Sequence, residues 1–160
     1  MNLYVLALAV SGTKIFAGTY GGGVFLTNNN GTSWSSVNNG LENTFVLSLV
    51  IDGSNIFAGT LGSGVYLSTD NGTNWSAVNN GLTDGDVQAL AISNTNIFAG
   101  TFSGGIFLST DNGTSWSAMN NGLINANILS LSGNGLYLFA GTYGGGAFLS
   151  TDNGANWSEI

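Results

Sequence analysis

The sequence predicts an all-β protein, a β-propeller made of four 41-residue four-stranded antiparallel blades. The first observation is a repeat without insertions: the tripeptide Ala-Gly-Thr recurs every 41 residues, beginning at Ala17, Ala58, Ala99 and Ala140. The second is that each repeat holds four short apolar runs separated by turns of Gly, Asn and Asp, which is the pattern of a β-meander. The third is that the runs are apolar on both faces of the predicted sheets, as radial stacking of blades requires.

The second repeat, residues 46–86, illustrates the assignment. Its predicted strands are residues 46–51, 55–61, 65–69 and 74–78, each bounded by turn residues. About 40 residues for four strands match one propeller blade. We therefore expect a single repeat domain over residues 1–160, with blades at approximately 1–41, 42–82, 83–123 and 124–160.

The apolar start of the chain is predicted to be the first strand of the first blade. Residues 5–10 align with residues 46–51 and 87–92, and no basic residue precedes the apolar run. A signal peptide is therefore not predicted. The compartment stays undetermined; an extracellular or periplasmic location is expected if the protein is natural.

Charge narrows the range of partners. The formal net charge is −7, and Lys14 is the sole base. Binding to nucleic acid or to an anionic membrane surface requires clustered Lys and Arg, so neither is expected. No apolar run approaches the roughly 18 residues of a membrane span.

The pattern Ser-x-Asp-x-Gly-x-x-Trp occupies residues 68–75 and recurs at 109–116 and 150–157. A first copy at residues 27–34 has Thr for Ser and Asn for Asp. This pattern resembles the Asp-box, or BNR repeat, of sialidases, sortilin-type receptors, xyloglucan-degrading hydrolases and photosystem II assembly factors. The resemblance implies propeller blades with the box on the hairpin between the third and fourth strands, away from the ligand face.

The box residues are predicted to be structural. The Asp accepts hydrogen bonds from its own turn, the Gly supplies a positive φ, and the Trp packs on the blade. Asn29 retains an acceptor oxygen, so the first turn should form as well. The residues concerned are Asn29, Gly31, Trp34, Asp70, Gly72, Trp75, Asp111, Gly113, Trp116, Asp152, Gly154 and Trp157.

Catalysis is not expected. The chain has no His, no Cys and no arginine cluster of the kind with which sialidases bind a carboxylate. Asp84 and Asp86 share one inter-blade loop and could converge as a glycosidase pair or a calcium site, but a solvated turn is favoured. No cofactor and no metal are predicted.

A ligand, if there is one, is expected where the repeats differ. The position at the end of the second strand varies as Tyr20, Leu61, Phe102 and Tyr143, and the loop between blades varies beside it. The candidate binding residues are Tyr20, Phe102, Tyr143, Asp84 and Asp86, although packing of the aromatic rings between blades is the favoured alternative.

Two classes of function stay open: a non-catalytic scaffold or protein-interaction module, and a carbohydrate-binding propeller. Near-identical repeats fit a fragment of a longer array, recent duplication or deliberate engineering. The chain is four residues short of four full repeats and carries no charged capping repeat. A homodimer that closes an eight-bladed ring is therefore expected in preference to a four-bladed monomer; glycan or protein are further candidate partners.

Overall fold

The computed structural model describes residues 4–160, which form sixteen β-strands in four separate four-stranded sheets. We call these sheets blades 1 to 4. Residues Met1 to Leu3 of the expected first blade lie outside the described residues. The first two blades comprise β1 (Val5–Ser11), β2 (Lys14–Thr19), β3 (Gly23–Thr27), β4 (Ser35–Ser36), β5 (Val46–Asp52), β6 (Asn55–Thr60), β7 (Val65–Ser68) and β8 (Ser76–Ala77). The last two comprise β9 (Val87–Ser93), β10 (Asn96–Thr101), β11 (Ile106–Ser109), β12 (Ser117–Ala118), β13 (Ile128–Gly133), β14 (Leu138–Thr142), β15 (Ala147–Ser150) and β16 (Ser158–Glu159).

Each blade is an antiparallel meander whose strands lie side by side in chain order. The prediction of an all-β propeller with four such blades is confirmed. Every first strand has an irregularity in its pairing near its start, for example between Val46 and Ser48. A bulge of this kind sharpens the local twist where the chain enters a blade.

The fourth strand is shorter than predicted. The sequence pattern assigned residues 74–78 to it, whereas β8 covers two residues, Ser76–Ala77. The reason is that the backbone N–H of Trp75 donates to the carbonyl oxygen of Asn39 in the preceding blade, at 2.8 Å, instead of pairing with β7. The end of the box therefore joins two blades.

The blades pack face to face through their first strands, β1 against β5, β5 against β9 and β9 against β13. Between blades 1 and 2, Phe16 and Val24 of blade 1 meet Val46, Leu49 and Trp75 of blade 2 in a buried apolar layer. Equivalent layers lie between blades 2 and 3 and between blades 3 and 4. Because both faces of blades 2 and 3 are covered, their strands are apolar on both sides.

The Ala-Gly-Thr repeat has a packing cause. A Cβ built on Gly18 would lie 2.7 Å from Cγ1 of Val46, so only Gly lets the first strand of the next blade approach. Thr19 is fully buried, and its hydroxyl donates to the carbonyl oxygen of Gly23 at 2.9 Å. The tripeptide thus fixes both the contact between blades and the turn after the second strand.

The strand directions place the loops on two rims. One, the glycine-loop rim, carries the loops that follow each second strand and those that lead into each next blade. The other, the box rim, carries the Asp-box turns and the hairpins between first and second strands. Within residues 4–160 no helix is long and apolar enough to cross a membrane.

Candidate functional site

The Asp-box of blade 2 is a closed hydrogen-bonded turn. Oδ1 of Asp70 accepts from the hydroxyl of Ser68 at 2.9 Å and from the backbone N–H of Asn74 at 2.8 Å. Oδ2 of Asp70 accepts from the side-chain amide of Asn74 at 2.7 Å. Asn71 and Gly72 take φ values of 60° and 84°, and the N–H of Gly72 donates to the Ser68 hydroxyl at 2.8 Å. The predicted positive φ of the box glycine is confirmed.

These hydrogen bonds favour the ionised carboxylate. The side chain and then the backbone N–H of Asn74 lower the pKa of Asp70 below its usual range. The side chain and N–H of Ser115 lower the pKa of Asp111, and those of Asn156 lower the pKa of Asp152. Each acid of the three boxes is therefore held as an anion by its own turn.

The first box forms with Asn in place of Asp. Oδ1 of Asn29 accepts from the backbone N–H of Ser33 at 3.0 Å and from the hydroxyl of Thr27 at 2.8 Å. Its amide donates to the Ser33 hydroxyl at 2.9 Å. Gly31 has a φ of 85°, as in the other boxes. The amide thus reproduces the turn without a charge, as the sequence predicts.

The box tryptophans join neighbouring blades. Trp75, Trp116 and Trp157 are each 4% exposed, which confirms the expected burial. Their indole N–H groups donate to the carbonyl oxygens of Val37, Val78 and Met119, each 38 residues earlier. Trp34 of blade 1 is only half-buried, since residues 4–160 place no blade in front of it.

The three aromatic candidates lie on the glycine-loop rim, and each exposes part of its ring to solvent. Tyr143 is 66% exposed, and Tyr20 and Phe102 are each 45% exposed. The ring of Tyr20 meets that of Phe45 from the loop leading to blade 2, edge to face, with centroids 4.7 Å apart. These positions share a rim with the variable loops, as the sequence indicates.

Asp84 is engaged in fixing that rim. Its Oδ2 accepts from the N–H and the hydroxyl of Ser103 at 2.7 and 2.8 Å and from the N–H of Gly104 at 2.9 Å. Its Oδ1 accepts from the N–H of Asp86 at 3.0 Å. Burial raises the pKa of Asp84, but the hydrogen bonds from Asp86, Ser103 and Gly104 outweigh it and hold the pKa below its usual range.

Asp86 stabilises the same loop through its backbone rather than through its carboxylate. Its backbone carbonyl oxygen accepts from the N–H of Phe102 at 2.9 Å, which ties the loop to the end of β10. Among residues 4–160, no three His, Cys, Asp or Glu side chains converge as a metal site would need, and no ligand-sized pocket is formed.

The sequence reasoning missed the first Asn of the recurring Asn-Asn-Gly-Leu segment. Oδ1 of Asn38 accepts from the N–H of Val24 at 2.7 Å, and its amide donates to the carbonyl oxygen of Gly22 at 2.9 Å. Asn79 and Asn120 make the same bonds in the next blades. The constant 41-residue spacing of this Asn could have indicated its structural role.

The fold and the boxes together define a class: an all-β propeller-blade protein that carries Asp-box repeats. The sequence matches the model of the BNR/Asp-box repeat at residues 66–77, 107–118 and 148–159. These matches cover the boxes of blades 2 to 4, and the Asn-containing first box lies outside them. The predicted resemblance to Asp-box propellers is thereby confirmed.

Solved structures share the fold at low sequence identity. An ancestral GH74 enzyme superposes on 99% of this chain with a TM-score of 0.81 and 22% identity, and the match spans 24% of that enzyme. YCF48 bound to D1 peptide matches over 97% of this chain and 52% of its own, at TM-score 0.68 and 19% identity. The computationally designed Ika4 protein matches over 94% of this chain and 93% of its own, at TM-score 0.73 and 14% identity.

Comparison of the sequence with curated proteins gives no match. Among the solved structures, this chain spans about a quarter of the length of the GH74 enzyme and about half of that of YCF48. Since identities are below 25%, these likenesses show the fold, which is shared by an enzyme and by a peptide-bound protein.

Proposed function

We propose that this chain is a non-catalytic β-propeller scaffold or interaction module. The observation that carries the proposal is that the acids best placed for chemistry are held in structural hydrogen bonds. Asp70, Asp111 and Asp152 each bind their own turn, and Asp84 binds the loop of the next blade. A general acid needs a carboxyl whose pKa is raised, whereas the pKa of each of these four is lowered.

The other acid of the same loop is the half-buried Asp86, whose backbone N–H donates to Oδ1 of Asp84. The two carboxylates do not offer the environments of a glycosidase pair, because Oδ2 of Asp84 already accepts three hydrogen bonds from Ser103 and Gly104. This arrangement supports a structural role for the loop.

Turnover assays test the proposal. Purified protein is incubated with sialosides, β-glucans and xyloglucan, and no release of sugar above the buffer blank is expected. The matched variants are Asp84→Asn and Asp86→Asn. Release of sugar that either substitution abolishes would show a hydrolase and overturn the proposal.

Carbohydrate binding is the second candidate, and one observation favours it. Tyr20, Phe102 and Tyr143 expose aromatic surface along one rim beside Gly-rich loops, and aromatic faces stack on sugar rings. A glycan array with wild-type protein and Tyr143→Ala examines this. Loss of a specific signal in Tyr143→Ala, but not in Leu136→Ala on the box rim, would favour the lectin-like function over the scaffold.

A further inference from the structure

Within residues 4–160, two faces of the array are left open to solvent, although the equivalent faces inside the array are buried. The first, here the blade 1 face, consists of Val5, Leu8, Val10, Ile15, Phe25 and Trp34. The second, here the blade 4 face, consists of Phe139, Ala147, Leu149 and Ile160. Each residue is the repeat equivalent of one that packs between blades 1 and 2.

Exposure shows how incomplete the two faces are. Leu8 is 64% exposed, whereas its equivalents Leu49 and Leu90 are each 7% exposed. On the other side, Phe139 is 41% exposed, whereas Phe16, Phe57 and Phe98 are fully buried. A contiguous apolar surface of this kind marks an interface.

The hydrogen bonds between blades identify what would fit the blade 1 face. Each buried box tryptophan donates to a carbonyl oxygen 38 residues earlier, at Val37, Val78 or Met119. The next position in that series, one 41-residue repeat after Met119, is Ile160. The acceptor that suits the indole of Trp34 is thus the carbonyl oxygen of an Ile160.

The glycine of the first box points to the same partner. A Cβ on Gly72 would lie 3.2 Å from Val37 and 3.3 Å from Phe16 of the preceding blade, and Gly113 meets Val78 and Phe57 in the same way. Gly31 has only its own Trp34 near it. By the repeat, the neighbours that Gly31 lacks are equivalent to Ile160 and Phe139. Both of these residues lie on the blade 4 face.

We infer that a second copy of this chain covers both faces. Blade 4 of each copy packs on blade 1 of the other, so two identical head-to-tail junctions close one ring of eight blades. The surfaces are complementary because each junction repeats the contact already present between blades 1 and 2. The ten side chains that define the two faces are all uncharged, so they add no like-charge repulsion to the junction although each copy has a net charge of −7.

The mass in solution tests this assembly, independently of any question of catalysis. Light scattering is expected to give twice the 16.3 kDa of one chain at low micromolar concentration. Phe139→Glu places a charge in each junction and should raise the dissociation constant at least about 100-fold. Leu136→Glu is the matched control, because Leu136 is exposed in the hairpin of the same blade but outside the blade 4 face.

Exchange of the indole N–H protons supplies a second measurement. In the two-chain ring, the indole protons of Trp34 and Trp75 are both protected, and dilution or Phe139→Glu releases the Trp34 proton alone. Protection of the indole proton of Trp157, which lies in blade 4 with Phe139, shows whether Phe139→Glu stays folded.

Three results would overturn the inference. A single-chain mass with an unprotected Trp34 would mean that another partner, or none, covers the faces. A single-chain mass with a protected Trp34 would mean that the chain closes a four-bladed ring on itself. A mass that grows with concentration beyond two chains would mean open head-to-tail polymers.

Discussion

The indole N–H of Trp75 donates a 2.7 Å hydrogen bond to the carbonyl oxygen of Val37, in the preceding blade. The same tryptophan packs in the apolar layer between the two blades with Phe16 and Val24. Asp70 thus closes the turn of the Asp-box, and Trp75 of the same box fastens it to the preceding blade. The box therefore connects two blades, in addition to forming the turn of one hairpin.

Replacement of Trp116 by Ala should reduce the free energy of unfolding by about 3–5 kcal/mol, because a buried aromatic ring and its hydrogen bond to Val78 are both lost. Trp116→Phe retains part of the packing and loses the bond, so it should cost less. Denaturant titration followed by circular dichroism measures both. An unchanged midpoint for Trp116→Ala would show that the joint is not needed.

Gly81→Ala should lower the stability of the fold much more than Gly53→Ala does. Both have positive φ, 86° and 59°. An added methyl group at Gly53 meets open space, so Gly53→Ala should cost about 1–2 kcal/mol for the backbone conformation alone. At Gly81 the methyl group also overlaps the backbone carbonyl oxygen of Trp116. Thermal unfolding should therefore show a larger loss for Gly81→Ala, and equal losses would contradict the close approach.

The boxes should make stability fall in acid. The pKa of Asp111 is lowered in the folded chain, whereas an unfolded Asp has a pKa of about 3.9. The unfolded state therefore binds the proton more readily. The stability that the ionised carboxylate contributes is present above about pH 4 and is lost as the pH falls through the folded pKa.

Asp111→Asn tests that pH dependence, because Asn29 shows that an amide can form the turn. The variant should be less stable than wild type at pH 7, and the difference should shrink below about pH 4. Asp52→Asn, in the hairpin between β5 and β6, serves as the control for removal of one charge. A difference between wild type and Asp111→Asn that does not change with pH would refute the assignment.

Asp84 should be replaceable by Asn but not by Ala. Asn43 and Asn125 occupy the equivalent position in other blades and donate to the carbonyl oxygens of Leu61 and Tyr143. An Asn at position 84 can make the same bond to Phe102. We expect Asp84→Asn to stay within about 0.5 kcal/mol of wild type and Asp84→Ala to cost about 1 kcal/mol. Chemical denaturation measures both, and equal losses would contradict the loop-fixing role.

The sequence predicts the repeat, the blade and the box turn because these depend on local chemistry. The hydrogen bonds of the box turn join residues of one short segment, from Ser68 to Asn74. Because the repeat is a constant 41 residues, the strands and turns predicted for one blade apply to every blade.

Contacts between segments that are distant in sequence, within a blade or between blades, could not be predicted in the same way. The pairing of the Trp75 N–H with Asn39 shortened the fourth strand, and the contacts of Asn38 with Val24 and Gly22 were not foreseen. These bonds depend on how two turns meet in space. Tyr143 is 66% exposed, whereas its repeat equivalents Tyr20 and Phe102 are each 45% exposed, a difference that the repeat pattern does not predict.

The constant distance of 38 residues between each joining tryptophan and its acceptor has a kinetic consequence. Each joint closes a loop of the same length wherever it lies in the chain, so the entropy cost of docking a blade is the same for every blade. Contact separation does not grow as blades are added, and the array can assemble from any adjacent pair outward. We therefore expect the formation of the first pair of blades to be the slowest step of folding, with each further blade docking at a similar cost.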